Sequence, residues 1–432
     1  MSSKYQRIIE DISQKIHSGS LKKGDKLPSI RQLSQSYACS KDTVQRALME
    51  LKFRNDIYAV NKSGYYVLES HFHEENPIEL SINTFNDMAY KDFRLCMTES
   101  LVNRENYLFN YYHQTRGLKE LIKSLHKQLA KDAVYAKENN ILVTSGSQQA
   151  LYILSQMPFP NGKKTILIEQ PTYPRLLDLI TFHKLPFQTI ERHFEGLDLK
   201  KLEEIFSRQD IKFFYTMSRF SNPLGLAYTS SEKQKIVELA ERYDVYILED
   251  DYMGDFSKTN ELPLHYYDTS EHVIYLKSFS ITVFPALRLA SLILPESLME
   301  LFLKYKKIMD YDTSLIMQKA LSIYIDNGMF SKNVHYLNQV FKEQCQHAKE
   351  LIQSFPEFSS HHILPQKLLI ELADKASLNN LTFTKEVSSL SHNYINDCSK
   401  PYIQISNNEN LLENLTLLRT CLREKKESRQ KS

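Results

Sequence analysis

The chain has 432 residues, 42% hydrophobic and 25% charged, with a formal net charge of only +2. These values place it among ordinary globular proteins with a large core to bury, and they exclude disordered, collagen-like and disulfide-stapled classes. No apolar run approaches the roughly 20 residues of a membrane span, and Met1-Ser2-Ser3-Lys4-Tyr5 opens no signal-peptide core, so a cytoplasmic location is expected. The five cysteines, Cys39, Cys96, Cys345, Cys398 and Cys421, are scattered without a Cys-x-x-Cys pair, which points to free thiols rather than zinc ligands.

Charge is unevenly spread. Residues 1–70 carry 12 Lys+Arg against 7 Asp+Glu, a balance of +5, which leaves −3 for the remainder. A small basic head on a mildly acidic body is what a local polyanion contact requires.

The first element is a helix in which Tyr5, Ile8, Ile9, Ile12 and Ile16 recur at helical spacing, closed by a turn framed by Gly19 and Gly24. Leu27-Pro28-Ser29 starts a second, short helix over Ile30 to Tyr37 that turns Ile30, Leu33 and Tyr37 inward. Ser40 is placed to cap a third, whose Val44, Ala47, Leu48 and Leu51 face inward while Lys41, Thr43, Gln45 and Arg46 occupy the opposite face. Two strands, Ile57 to Val60 and Tyr65 to Leu68, flank Asn61-Lys62-Ser63-Gly64, a hairpin with a basic tip. Three helices with a polar, cationic third and a small wing describe a winged helix-turn-helix over residues 1–69, its third helix sized for the major groove.

Gly24-Asp25-Lys26-Leu27-Pro28-Ser29-x-Arg31, Ser40-Lys41-x-Thr43-Val44 and the glycine-bearing wing resemble the GntR family of transcription regulators. The resemblance implies double-stranded DNA as partner, contacted by Arg31, Ser40, Lys41, Thr43, Gln45, Arg46 and Lys62, with Gly64 letting the wing approach a phosphate. Family members often have arginine where Lys41 stands, and a lysine contacts without the bidentate fork.

Residues 70–83 lose periodicity and read as a linker; His71 and His73, without a second pair nearby, do not suggest a metal site. Over 84–432 a unit of apolar strand, polar turn and amphipathic helix repeats, with strands at Ile141 to Val143, Thr165 to Ile168, Ile211 to Tyr215, Val245 to Leu248 and Val273 to Leu276. That alternation predicts an α/β domain on a largely parallel sheet, with ligands at the strands' carboxyl ends. A smaller C-terminal α+β part is expected at roughly 325–425.

The turns at those ends carry Ser145-Gly146-Ser147-Gln148, Pro171-Thr172-Tyr173, Ser221-Asn222-Pro223-Leu224-Gly225, Glu249-Asp250-Asp251-Tyr252 and Ser278-Phe279-Ser280-Ile281 followed by Arg288. Singly each is a common turn; jointly they resemble the fold-type I aminotransferases that depend on pyridoxal phosphate (PLP). With the GntR-like head they resemble the MocR subfamily of regulators, across nearly the whole chain. The resemblance implies a central mixed, mostly parallel sheet. It implies that Gly146, Ser147, Gln148, Ser278 and Arg288 hold a phosphate and that Tyr173 stacks on a pyridine ring. It further implies that Asp250 pairs with the ring nitrogen, that Asn222 and Tyr252 bind its hydroxyl, and that the chain forms a domain-swapped homodimer. Tyr112, followed by Gly117, resembles the tyrosine that reaches into the partner subunit's pocket.

Two departures stand out. Ile281 occupies the position of the imine-forming lysine, and an aliphatic side chain can neither form an imine nor shuttle a proton. In Tyr402-Ile403-Gln404-Ile405-Ser406, Gln404 aligns with the family's arginine for the substrate carboxylate. The expected function is therefore a DNA-binding regulator with a catalytically inactive aminotransferase-like body for dimerisation and small-molecule sensing. Its pocket holds PLP or another phosphorylated ligand without a covalent bond, or serves as scaffold. The alternative is an enzyme or PLP-responsive regulator using another lysine. Lys277, four residues upstream and up to about 13 Å away along an extended strand, is a poor substitute, better read as an exposed or ion-paired strand residue. Asp250, lacking a pyridinium, has Arg288 as a possible cationic partner.

Overall fold

The computed structural model describes residues 4–17, 20–22, 24–53, 56–60, 63–67, 87–102, 115–208, 210–257, 261–310, 312–372, 384, 386–396 and 400–430. The chain divides into two compact units, Met1–Glu79 and Leu80–Ser432. The expected linker, Tyr112 and Lys62 lie outside the described residues. Among the described residues no helix is long and apolar enough to cross a membrane.

The first unit consists of α1 (Lys4–His17), α2 (Ile30–Ser36), α3 (Lys41–Phe53), β1 (Ile57–Val60) and β2 (Gly64–Val67). Its core joins Ile8, Ile9 and Ile12 of α1, Leu33 of α2 and Val44, Ala47, Leu48 and Leu51 of α3 to Ile57 and Val67 of the hairpin. Ser29 caps α2 in a reciprocal box with Gln32, and the Thr43 amide donates to Ser40 Oγ at 3.2 Å. The second strand of the wing starts at Gly64 rather than Tyr65, because the Val60–Gly64 pair extends the register by one residue. The preceding loop pins this hairpin: the Leu27 amide donates to Tyr65 O and the Val67 amide to Asp25 O, both at 2.9 Å.

In the second unit, β3 (Ile141–Thr144), β4 (Thr165–Gln170), β5 (Phe187–His193), β6 (Gly196–Leu197), β7 (Ile211–Thr216), β8 (Tyr246–Asp250), β9 (Val273–Ser278) and β10 (Ala290–Ile293) form one sheet in the order β3-β10-β9-β8-β7-β4-β5-β6. β5, β4, β7, β8 and β9 pair in parallel, while β10 runs antiparallel between β9 and β3 and β6 runs antiparallel to β5. The five expected strands all occur, each reaching one or two residues further toward its carboxyl end, and the fourth starts at Tyr246 rather than Val245. β5, β6 and β10 were not anticipated; β10 is only four residues long and follows the irregular turn that carries Ile281 and Arg288.

Strand periodicity divides the sheet's two faces. Tyr215, Leu248, Ile274 and Leu276 enter one core, whereas Phe214, Ile247 and Val273 enter a second and Tyr275 a third. Beyond the sheet, a long helix, Met329–Ile352, precedes a four-stranded antiparallel sheet of β11 (His361–Ile363), β12 (Lys367–Glu371), β13 (Val387–Ser389) and β14 (Tyr402–Ser406), in the order β11-β12-β14-β13. Its Leu368, Ile370, Ile403 and Ile405 face the helices, while Leu369 and Tyr402 pack with Leu224.

Candidate functional site

At the carboxyl ends of β4, β7, β8 and β9 lies a cleft with about 560 Å³ of atom-free space, part of it open to solvent. Ser147, Gln148, Tyr173, Asn222, Asp250, Tyr252, Ser278, Ile281 and Arg288 all line it, so nine positions singled out in the sequence converge on one site. Met217 and Ser280 line it as well and were missed, although Met217 directly follows β7 and the rule that picked out the other strand ends reaches it.

One end of the cleft is shaped for an anion. Gly146, at φ +77°, caps a helix over Ser147–Gln156 whose first amides lack intrahelical partners. A Cβ on Gly146 would stand 3.1 Å from Arg288 Nη2 and 3.3 Å from its Cζ, so glycine lets the guanidinium lie flat over the turn. Arg288 itself has left-handed backbone (φ 52°, ψ 40°), and among the described residues no carboxylate pairs with it. The turn is braced from behind, where Ser145 Oγ donates to Asp310 Oδ2 at 2.5 Å and the Ser145 amide donates to Gln149 Oε1 at 2.9 Å.

The other end is built for a cation. The three adjacent acids are not solvated, with exposures of 0%, 3% and 0% for Glu249, Asp250 and Asp251. Side-chain alternation separates them. Asp250 shares the face of Leu248 and accepts from the Tyr215 hydroxyl at 2.8 Å, and its buried Oδ1 has no partner among the described residues. Burial pushes its carboxyl up to about 7, against the Tyr215 hydrogen bond and with help from Asp251. Arg288 is therefore not its partner. Asp251 pairs instead with the buried Arg219 on the opposite side, and Glu249 accepts from the amides of Leu264 at 2.7 Å and His265 at 2.9 Å. Burial and the nearby Asp250 raise the pKa values of both Tyr173 and Tyr252, which keeps these phenols protonated.

Ile281 stands where an imine-forming lysine is expected by resemblance, and it packs against the cluster formed by Met253, Phe256, Leu337 and Phe341. Lys277 lies on the other face of the sheet, in phase with Tyr275 and opposite to Ser278. It is 1% exposed and donates to Asp255 Oδ1 at 2.7 Å; burial opposes its charge, but Asp255, Asp132 and Asp251 outweigh that and raise its pKa. The expectation of an exposed or ion-paired lysine resolves to a buried ion pair. Asp255 also accepts from Thr282 Oγ1 at 2.7 Å, so Lys277 braces the turn that carries Ile281 instead of entering the cleft. A second brace was invisible in the sequence: buried Arg192 donates to Met217 O at 3.0 Å and Leu226 O at 3.2 Å, holding both ends of the Asn222 turn.

Gln404 does not line this cleft; its Oε1 accepts from Lys367 Nζ at 3.1 Å. Gly117 is a required glycine, since a Cβ there would come within 2.7 Å of Val143 Cγ2 and its φ is +114°. In the first unit, Arg31, Ser40, Lys41, Gln45 and Arg46 are exposed and Thr43 is half-buried, and among the described residues no carboxylate pairs with Arg31, Lys41 or Arg46. Gly64 has φ +123°, a backbone suited to glycine.

Comparison with known proteins agrees with this architecture. Residues 4–67 match the gntR family of bacterial regulatory proteins, and residues 75–409 match aminotransferase class I and II. A relative from Bacillus subtilis, named uncharacterized HTH-type transcriptional regulator YcxD, is 42% identical over 84% of this chain and 87% of its own length. The HTH-type transcriptional regulator NorG of Staphylococcus aureus is 24% identical over 74% of this chain and 79% of its own. Among solved structures, the kynurenine aminotransferase of Pyrococcus horikoshii superposes with a TM-score of 0.68 at 22% identity, covering 78% of this chain and 87% of that one. A gntR-type head, an aminotransferase class I and II body and 42% identity to YcxD over most of both chains together show that this chain belongs to the MocR-type, HTH-bearing transcriptional regulators.

Proposed function

We propose that the protein is a DNA-binding transcription regulator whose aminotransferase-like body senses a phosphorylated ligand without performing transamination. The observation that carries this reading is the lining of the cleft. Ile281 contributes an aliphatic wall where imine chemistry needs an amine, yet at its two ends Arg288 has no carboxylate partner and Asp250 Oδ1 no donor among the described residues. Residues that served only as packing would not leave a buried carboxylate oxygen orphaned, because that costs about 1–3 kcal/mol or more.

PLP fits this arrangement. Gly146, Ser147, Gln148, Ser278 and Arg288 would hold its phosphate, Tyr173 would cover the ring, Asp250 would accept from the ring nitrogen, and Asn222 and Tyr252 would meet its hydroxyl. When bound to an amine in catalysts, this group supplies an electron sink; among the described residues no lysine lines the cleft. Asp250 would hold a proton between its Oδ1 and the ligand's nitrogen, and Tyr215 would keep the carboxylate oriented. Lys277, the nearest alternative in sequence, is spent on Asp255 across the sheet, which disfavours an enzyme built on that lysine.

In the head, Arg31, Lys41, Gln45 and Arg46 form the DNA-facing set, with Ser40 and Thr43 at the start of α3 and Gly64 in the wing. A homodimer, as in the family it resembles, would carry two heads and favour paired half-sites. Ligand binding would alter DNA binding only through different affinities for two arrangements. The test is to titrate the full-length protein with PLP, follow thermal stability and the visible spectrum, reduce with borohydride and map the products by mass spectrometry. Stabilisation without a reduced lysine adduct is expected. An adduct on one specific lysine would overturn the non-catalytic reading.

A further inference from the structure

The helix Lys119–Lys131 takes no part in the cleft, and its outer face has a composition that the fold does not require. Leu121, Leu125 and Leu129 enter a core of the second unit, with Ser124 and Gln128 buried beside them, so the four-residue step of the helix decides what faces water. Every exposed position of this helix is a lysine: Lys119, Lys123, Lys127 and Lys131, with Glu120 and His126 half-buried. At about 1.5 Å of rise per residue the row is about 18 Å long, with a lysine every 6 Å or so. Over residues 115–139 six Lys+Arg stand against three Asp+Glu, within a body whose overall balance is −3.

Helix stability does not account for this row. Elsewhere on the same unit exposed cations face acids one turn away, as Arg208 does Glu204, Arg242 does Glu238 and Lys304 does Glu300. Here like charges follow one another at i, i+4, where they repel, and Lys119 stands at the positive end of the helix dipole. The neighbouring acids are engaged elsewhere, Glu120 with Lys319 at 3.6 Å and Asp132 with Lys277 at 4.0 Å. Among the described residues no carboxylate pairs with Lys123, Lys127 or Lys131.

At its N-terminal end the row borders a cleft with about 790 Å³ of atom-free space, part of it open to solvent, where Arg116 joins Lys119 and Lys123 against a single acid, Glu138. Arg116 Nη1 donates to Asn139 Oδ1 at 3.4 Å, which uses one of the guanidinium's five donors. A second copy meeting this row across a two-fold axis would set lysine against lysine. A linear polyanion matches it: duplex DNA carries a negative charge per 1.7 Å or so of its axis, so an 18 Å row faces about ten phosphates. The gntR-type head of the same chain supplies the reason for DNA to be that polyanion, because a weak patch tethered to a DNA-bound module acts at high effective concentration.

We propose that Lys123, Lys127 and Lys131, with Arg116 and Lys119 at the cleft, form a second DNA-contact surface on the aminotransferase-like body, one that meets phosphates and not bases. This rests on the DNA-binding reading above. Lysine suits the task, since a flexible point charge follows a backbone without demanding one geometry.

Binding of the full-length protein to a long duplex of arbitrary sequence, followed by fluorescence anisotropy over a salt series, tests this, because phosphate contacts need no operator. Replacing the three together (Lys123→Gln, Lys127→Gln, Lys131→Gln) should weaken binding at low salt about tenfold or more and lower the slope of log affinity against log salt by about two to three, at about 0.9 per phosphate contact. The same three positions changed to Arg should keep both at the native level. Thermal unfolding of the glutamine variant should stay at or above the native midpoint, since repulsion along the helix is relieved. A control variant, Lys200→Gln, Lys201→Gln and Lys304→Gln, removes the same charge from other exposed lysines of this unit and should leave the slope unchanged. A native slope in the first variant, an equal fall in the control, or a loss confined to binding of anionic lipid vesicles overturns the proposal and leaves the head as the DNA-binding part. Failure of the native protein to bind duplex at all overturns the proposal and the DNA-binding reading together.

Discussion

Asp250→Asn should stabilise the unliganded protein in a pH-dependent way. Burial, with help from Asp251, pushes the native carboxyl up to about 7 against an ordinary value of about 3.9; it is 3% exposed, and among the described residues one of its oxygens has no donor. For an acid whose pKa is raised on folding, the native state binds more protons than the unfolded state between those two values. Stability therefore falls as pH rises from about 4 to about 7 and stays level above. Asparagine still accepts from Tyr215 and never ionises. The gain of Asp250→Asn over the native chain should grow by about 2 kcal/mol between pH 5.5 and pH 8.5, since about 1.5 of the three pKa units lie in that window. Urea unfolding of both proteins at the two pH values reads this directly. A stability difference that does not change with pH refutes the claim that Asp250 is a desolvated acid awaiting a cationic partner. PLP affinity should move the opposite way, because a protonated ring nitrogen loses its counter-charge.

Arg288→Ala should weaken PLP binding by about 1.5–3 kcal/mol in calorimetry and leave non-phosphorylated pyridoxal unaffected, with Arg288→Lys intermediate; equal losses for both ligands would remove the arginine from the phosphate end. Ile281→Lys should produce a borohydride-reducible adduct with PLP if the rest of the pocket is competent, and its absence from a folded variant would mean that the site has diverged beyond one position. In the head, Lys41→Ala and Arg31→Ala should each cost about 1–3 kcal/mol of operator binding by gel shift if they reach bases. Lys62→Ala should instead weaken all sequences alike and lower the salt slope by about one. No change from any of the three would place the DNA-binding surface elsewhere.

Much of the site was legible because its parts are local. Gly146 before a helix, Ser29 and Ser40 as caps, and the apolar phase of α3 are decided by neighbours within a few residues, and their conformations follow from backbone sterics and hydrogen-bond geometry. The short antiparallel β10 was not legible, since its four residues have no period of their own and it exists only by pairing with β9 and β3. Nor were the buried braces: Arg192 lies 25 and 34 residues from the carbonyls it holds.

By itself the sequence determined the two-part organisation, the strand-turn-helix repeat, the residues that gather at the strand ends and the aliphatic side chain at position 281. Only the tertiary structure decided how those residues are used. Glu249, Asp250 and Asp251 are chemically near-identical neighbours, yet strand alternation sends Asp250 to the cleft and the others to opposite partners, and the same alternation takes Lys277 out of reach of the pocket.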